Sequence, residues 1–157
     1  MLRILSWLLG CVLASSAVAA EEVVVDKVWM RESVPGQTAA TVQLNLTVVH
    51  AVTLTGVNSP LAQHGQLLRV LRRPGKMVRQ PLPTLRLPPH STTRFGEDGL
   101  YLLLSGLKQP LEVGQRVPVT LRLQIGGKRK EIETQAEVRA LELSYRHYND
   151  PAVMDHQ

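Results

Sequence analysis

Along most of this chain hydrophobic and polar residues alternate one for one, in short runs closed by proline, glycine or asparagine. Successive side chains of a strand point to opposite faces, so a period of two signals a strand with one face buried. In residues 38–49, Val42, Leu44 and Leu46 fall on one face and Thr41, Gln43 and Asn45 on the other. Residues 117–125 repeat the pattern with Val119, Leu121 and Leu123, and Gly126-Gly127 reads as a two-residue hairpin turn into a strand over 128–141. A β-branched run predicts a strand over 22–31, and shorter runs predict strands over 52–57, 66–73 and 101–104. Asn58-Ser59-Pro60, Pro74-Gly75 and Gly106 supply the stops. Pro81, Pro83, Pro88 and Pro89 divide the intervening stretch into short edge pieces, because proline has no N–H to give a ladder. Helical periodicity is absent, except that residues 141–148 are compatible with a turn of helix. Short strands with turn signals every 8–12 residues predict an antiparallel β-sandwich or barrel. Its core is expected to hold Val42, Leu44, Leu46, Leu102, Leu104, Val119, Leu121 and Leu123.

The first twenty residues break this pattern. Arg3, the apolar stretch 4–13 and Ala17-Val18-Ala19-Ala20 read as a secretory signal peptide, with cleavage expected after Ala19 or Ala20. Leu8-Leu9-Gly10-Cys11 gives a second reading, a lipoprotein box that leaves a lipid on Cys11. Only ten residues precede that cysteine, which is cramped for a signal, so the expected product is a soluble periplasmic protein. The expected organisation is a signal peptide over 1–20, one β-domain over 21–143 and a loose tail of changed composition over 144–157.

Composition narrows the chemistry. Cys11 is the only cysteine, so a chain cleaved after it has no disulfide, no thiolate metal site and no cysteine nucleophile. No apolar run long enough to span a membrane follows residue 20. Net charge is +5 for the whole chain, and its distribution matters more than its size. No acidic residue lies between Glu32 and Glu97, whereas Arg69, Arg72, Arg73, Lys76, Arg79, Arg86 and Arg94 all do. Such a stretch is either a solvated basic face or a field that steers the protein to an anionic partner or membrane surface. Aromatics are only 4%, too few for a base-stacking platform, which argues against nucleic acid. No catalytic arrangement is readable from spacing, phosphate-cradling glycine loops are missing, and Glu97-Asp98 fits a turn better than an acid/base pair. An enzyme is not expected.

Several short motifs recur in a telling order. Residues 25–31 (VDKVWMR) and Pro35-Gly36-Gln37-Thr38-Ala39-Ala40 come first, then Ser59-Pro60-Leu61-Ala62 and the LRLP of residues 85–88. Gly106-Leu107-Lys108-Gln109-Pro110-Leu111 and Val113-Gly114 before Val117-Pro118-Val119-Thr120-Leu121 complete the set. Together they resemble the periplasmic PCu(A)C-type copper chaperones over about residues 23–140. The resemblance implies an all-β, cupredoxin-like Greek-key β-sandwich, which agrees with the strands read above.

It also implies a ligand pattern for Cu(I). That family holds the ion by a His, a Met two residues on, a Met eleven after the His, and a closing His-x-Met. Soft thioethers suit Cu(I), and imidazole completes the set. Counted back from Gly106-Leu107-Lys108, the pattern falls without a gap on Leu68, Val70, Arg79, Tyr101 and Leu103. None of these is a thioether or an imidazole. Other candidate metal ligands are His147, Met154 and His156 in the tail, and more weakly His64 and Met77 beside the family positions. His50 and His90 read as surface residues and Met30 as strand packing. Leu68, Val70, Tyr101 and Leu103, rimmed by Arg79, make either an apolar contact patch or a small extension of the core. The expectation is a periplasmic copper-handling binding protein, degenerate at the usual Cu(I) site. The alternative is a metal-free module that docks a protein partner through this patch and the basic stretch.

Overall fold

In the computed structural model residues 22–141 are described, so Cys11, His147, Met154 and His156 lie outside the described residues. Ten strands follow one another: β1 (Val23–Arg31), β2 (Ala39–Val48), β3 (Val52–Asn58), β4 (Ala62–Arg73), β5 (Lys76–Leu82), β6 (Leu85–Leu87), β7 (Ser91–Phe95), β8 (Leu100–Leu107), β9 (Arg116–Ile125) and β10 (Lys128–Arg139). They form one mixed sheet in the order β5-β4-β8-β2-β1-β10-β9-β3-β6, with β7 also paired to β2. Every pairing is antiparallel except β1 with β10, where the first and last strands run side by side. The sheet folds over on itself around a single core and gives the cupredoxin-like β-sandwich expected from the sequence.

Alternation explains the core. The burial pattern of β2 is strictly period two, and all eight core residues read from the sequence are 2% exposed or less. Met30 is fully buried as strand packing. Two prolines lie within strands, each where a missing N–H costs little. Pro81 lies on β5, an edge strand paired only with β4. Pro118 lies on β9 beyond the end of β3, whose pairing with β9 stops at Asn58↔Thr120.

Three strands depart most from the sequence reading. β4 begins at Ala62, four residues earlier than the predicted strand, and takes in Gln63-His64-Gly65-Gln66. That polar run carries no apolar alternation, yet here it pairs with Ser105, Leu104 and Leu103 of β8. Gly65 is what lets β4 lie against β3: a Cβ there would overlap the carbonyl oxygen of Val57. β8 runs on through Gly106 to Leu107, because Gly106 adopts a left-handed φ of 66° within the ladder instead of ending it. β5 is a seven-residue edge strand despite Pro81, longer than the short pieces expected.

Candidate functional site

The β4–β5 hairpin and β8 form one end of the sheet order, and their register decides which residues share a face. Leu68 lies directly opposite Tyr101 on β8 and Pro81 on β5. Val70 lies opposite Arg79. Leu103 lies opposite Gln66 of β4 and Thr41 of β2. Leu67, between Gln66 and Leu68, faces the core opposite Leu102. By the period of two, Leu68, Val70, Arg79, Tyr101 and Leu103 therefore all point to the other, outward face. Residues directly opposite on such a pair have Cβ atoms about 4.5–5.5 Å apart. The five positions that the resemblance assigns to copper ligands are thus neighbours on one face of this fold.

Their chemistry is apolar and cationic. Leu68 is 9% exposed and stands apart from the principal core cluster. Val70, Tyr101 and Leu103 are half-buried and Arg79 is exposed. Leucine and valine have no donor atom, the arginine guanidinium has no lone pair to give, and the tyrosine phenol is a hard oxygen donor. These residues do not fit Cu(I).

His64 and Met77 share this outward face without sharing a site. His64 is opposite Ser105 near the start of β4, and Met77 is opposite Arg72 near its end. The eight steps from residue 64 to residue 72 span about 26 Å of strand, so no single ion can bind both. The pairing of His64 with Met77 as weaker metal candidates fails on this distance. His50 and His90 are exposed beside turns. Among the described residues no three His, Cys, Asp or Glu side chains come close enough to hold a metal ion.

Glu97 and Asp98 both turn toward Arg94 in the β7–β8 turn. Glu97 pairs with its guanidinium at 3.4 Å, and Asp98 does so at 3.1 Å while also accepting the Arg94 backbone N–H at 2.9 Å. That backbone bond, helped by the guanidinium, holds the Asp98 carboxyl below the usual carboxylate range. They are turn residues, as their sequence context suggested. Trp29 on β1 has two guanidinium groups over its ring, Arg139 at 5.3 Å and Arg31 at 6.0 Å from the ring centre. Only the parallel pairing of Trp29 with Glu137 brings Arg139 there, and no local signal encodes that pairing.

Comparison with known proteins bears on the same fold. Residues 23–138 match the family model described as "Putative lipoprotein LpqE-like". The chain is 33% identical over 130 residues, 78% of each protein, to "Putative lipoprotein Lxx21020" of Leifsonia xyli subsp. xyli (strain CTCB07). Among solved structures, the copper-bound PCuAC domain from PmoF2 superposes with a TM-score of 0.61 at 21% identity, over 78% of this chain and 97% of that one. The solution structure of Cu(I)-bound DR1885 from Deinococcus radiodurans gives 0.60 at 26% identity, over 80% and 83%. With its fold superposing on PCuAC domains and its sequence matched from β1 into β10, the chain belongs to the LpqE-like family, a relative of the PCu(A)C copper chaperones.

Proposed function

We propose that this protein is an exported member of the copper-handling lineage whose β-domain has given up Cu(I) at the face its relatives use. One observation carries the reading: the five register positions at 68, 70, 79, 101 and 103 converge on one face and offer no soft donor. Copper binding, where it occurs, then falls to His147, Met154 and His156 of the tail. Three donors on a short segment bind weakly, because ordering that segment opposes the bonds. Imidazole must be neutral to bind metal, so the affinity falls as pH drops through the histidine range near 6.5.

An anaerobic Cu(I) competition titration tests this on the whole protein and on its His147→Ala/Met154→Ala/His156→Ala variant. The variant is expected to lose what copper binding the protein has. Retention of one tightly bound equivalent by the variant would overturn the reading.

A second reading follows from the half-exposed Val70, Tyr101 and Leu103 with Arg79 beside them. This face serves as a contact for a protein partner, with or without metal elsewhere. Capture of the same partner by metal-free protein, lost in a Tyr101→Ala/Leu103→Ala variant that still folds, supports it. The lipoprotein names of the family and of the Leifsonia relative favour acylation at Cys11 over the soluble form. A diacylglyceryl mass increment on Cys11 distinguishes this from an N-terminus at Ala20 or Glu21.

A further inference from the structure

The register shows which loops share an end of the sandwich. Val23 at the start of β1 is level with Val48 at the end of β2. β10 runs parallel to β1, so its first residue, Lys128, lies at that same end with the β9–β10 turn. β4 starts level with the start of β2, since both meet the last residues of β8, so its far end also points that way. The tips of the β4–β5 and β9–β10 hairpins therefore project from the end at which the chain preceding residue 22 enters the fold.

Both tips are basic. Arg72, Arg73 and Lys76 flank Pro74-Gly75, and Lys128, Arg129 and Lys130 follow Gly126-Gly127. All six side chains are exposed, and none takes part in the ion pairs found among the described residues, which engage only Arg94 and Arg139. Next to Lys76, Met77 is 61% exposed, an apolar side chain at the tip of a cationic hairpin. Acidic residues toward this end are Glu22, Glu131 and, in the β7–β8 turn near Val70, Glu97 and Asp98, the last two paired with Arg94; the opposite end mixes Arg31, Lys108, Arg116 and Arg139 with Glu32, Glu112 and Glu137. The basic character of the chain is thus polarised along the strands.

We infer that this end docks on an anionic phospholipid bilayer. Two separated cationic tips suit a plane of negative charge, which both can touch at once. Glycine turns keep the apices small, so the long Lys and Arg side chains reach furthest, and Met77 adds an apolar foot. The position of the N-terminus agrees. Eleven residues lie between Cys11 and Val23, and even fully extended they reach only about 40 Å. A lipid on Cys11 would attach the chain to the membrane from this end of the domain. The docking itself depends on the tips and not on the copper reading, nor on acylation.

Flotation with vesicles tests it, using the exported Cys11→Ser chain so that no acyl group contributes. Vesicles of equal phosphatidylglycerol and phosphatidylcholine are compared with pure phosphatidylcholine, each at about 0.05 M and 0.5 M NaCl, since salt shortens the reach of surface charge. Binding is expected on the anionic vesicles at low salt only. The Arg72→Glu/Lys76→Glu and Lys128→Glu/Lys130→Glu variants should each bind at least about tenfold more weakly, given the worth of each cation near an anionic surface. Lys108→Glu/Arg116→Glu makes the same change in net charge at the other end and should stay within about twofold. Unfolding midpoints confirm that all three variants fold. Absence of binding, equal binding to neutral vesicles, or equal weakening by the Lys108/Arg116 variant would each overturn the inference.

Discussion

Rebuilding the ligand set is the most demanding test of the face formed by β4, β5 and β8. The substitutions are Leu68→His, Val70→Met, Arg79→Met and Tyr101→His, at two directly opposed pairs on adjacent rungs. Opposed Cβ atoms are about 5 Å apart and alternate residues along a strand about 7 Å, so four donors surround one ion. The apo variant should be less stable, chiefly because Leu68, only 9% exposed, gives way to a polar ring. Most of a leucine's burial free energy is forfeited there, about 1.5–3 kcal/mol. Val70→Met and Arg79→Met keep or add apolar surface, so they change little. Copper works in the other direction: free Cu(I) at a hundredfold excess over Kd stabilises the folded state by about 2.7 kcal/mol. For a domain of this size that is a rise in Tm on the order of 10 °C. Thermal unfolding with and without anaerobic Cu(I), beside a competition titration, reads both quantities. The parent protein should show no such rise from this face. If the four-residue variant folds but takes up no copper, then the register alignment of these positions with the ligand pattern is wrong.

Other expectations concern the framework. Leu121→Ala, at a fully buried position in the centre of β9, should cost about 2–5 kcal/mol in denaturant unfolding; a loss below about 1 kcal/mol contradicts its place in the core. Gly65→Ala drives a methyl into the Val57 carbonyl where β4 crosses β3 and should destabilise by about 1–3 kcal/mol or more, and an unchanged midpoint would mean that the two strands are not held that close. Asp98 has its carboxyl depressed by the Arg94 backbone N–H and guanidinium, so its stabilising contribution is fully present above the unfolded value near 3.9 and is lost as pH falls through the lower folded value. Urea midpoints of the protein and Asp98→Ala should therefore differ by a constant amount above about pH 5 and draw together as pH falls below the unfolded value, whereas a gap that widens in acid refutes the assignment.

How much was legible depended on whether the signal was local. Strands β2 and β9 were readable because one face of each is buried and the other wet, so alternation is strict. The start of β4 was not, because Gln63, His64 and Gln66 are exposed and Gly65 gives no pattern of its own. Its role emerges only where β3 approaches. Gly106 looked like a stop because glycine usually is one, but a left-handed residue can also continue a strand. At the candidate site, the positions 68, 70, 79, 101 and 103 could be counted out by family spacing. Their convergence needed the pairing of β4 with both β5 and β8. The stacking of Arg139 on Trp29 could not be read at all, since it joins residues more than a hundred positions apart.

That same pairing of the first strand with the last governs when the domain can exist. Trp29 meets Glu137 and Arg31 meets Arg139, contacts of very long sequence separation that slow folding because a large loop must close before they reward it. Until β10 is present, β1 has a partner on only one side and β9 lacks its hairpin mate, so two ladders stand open in the middle of the sheet. A chain delivered N-terminus first therefore has no stopping point at which a completed half-domain could lock, and the final strand acts as the latch. On the export route proposed above, a late latch favours a passenger that stays unfolded until the last strand has been threaded.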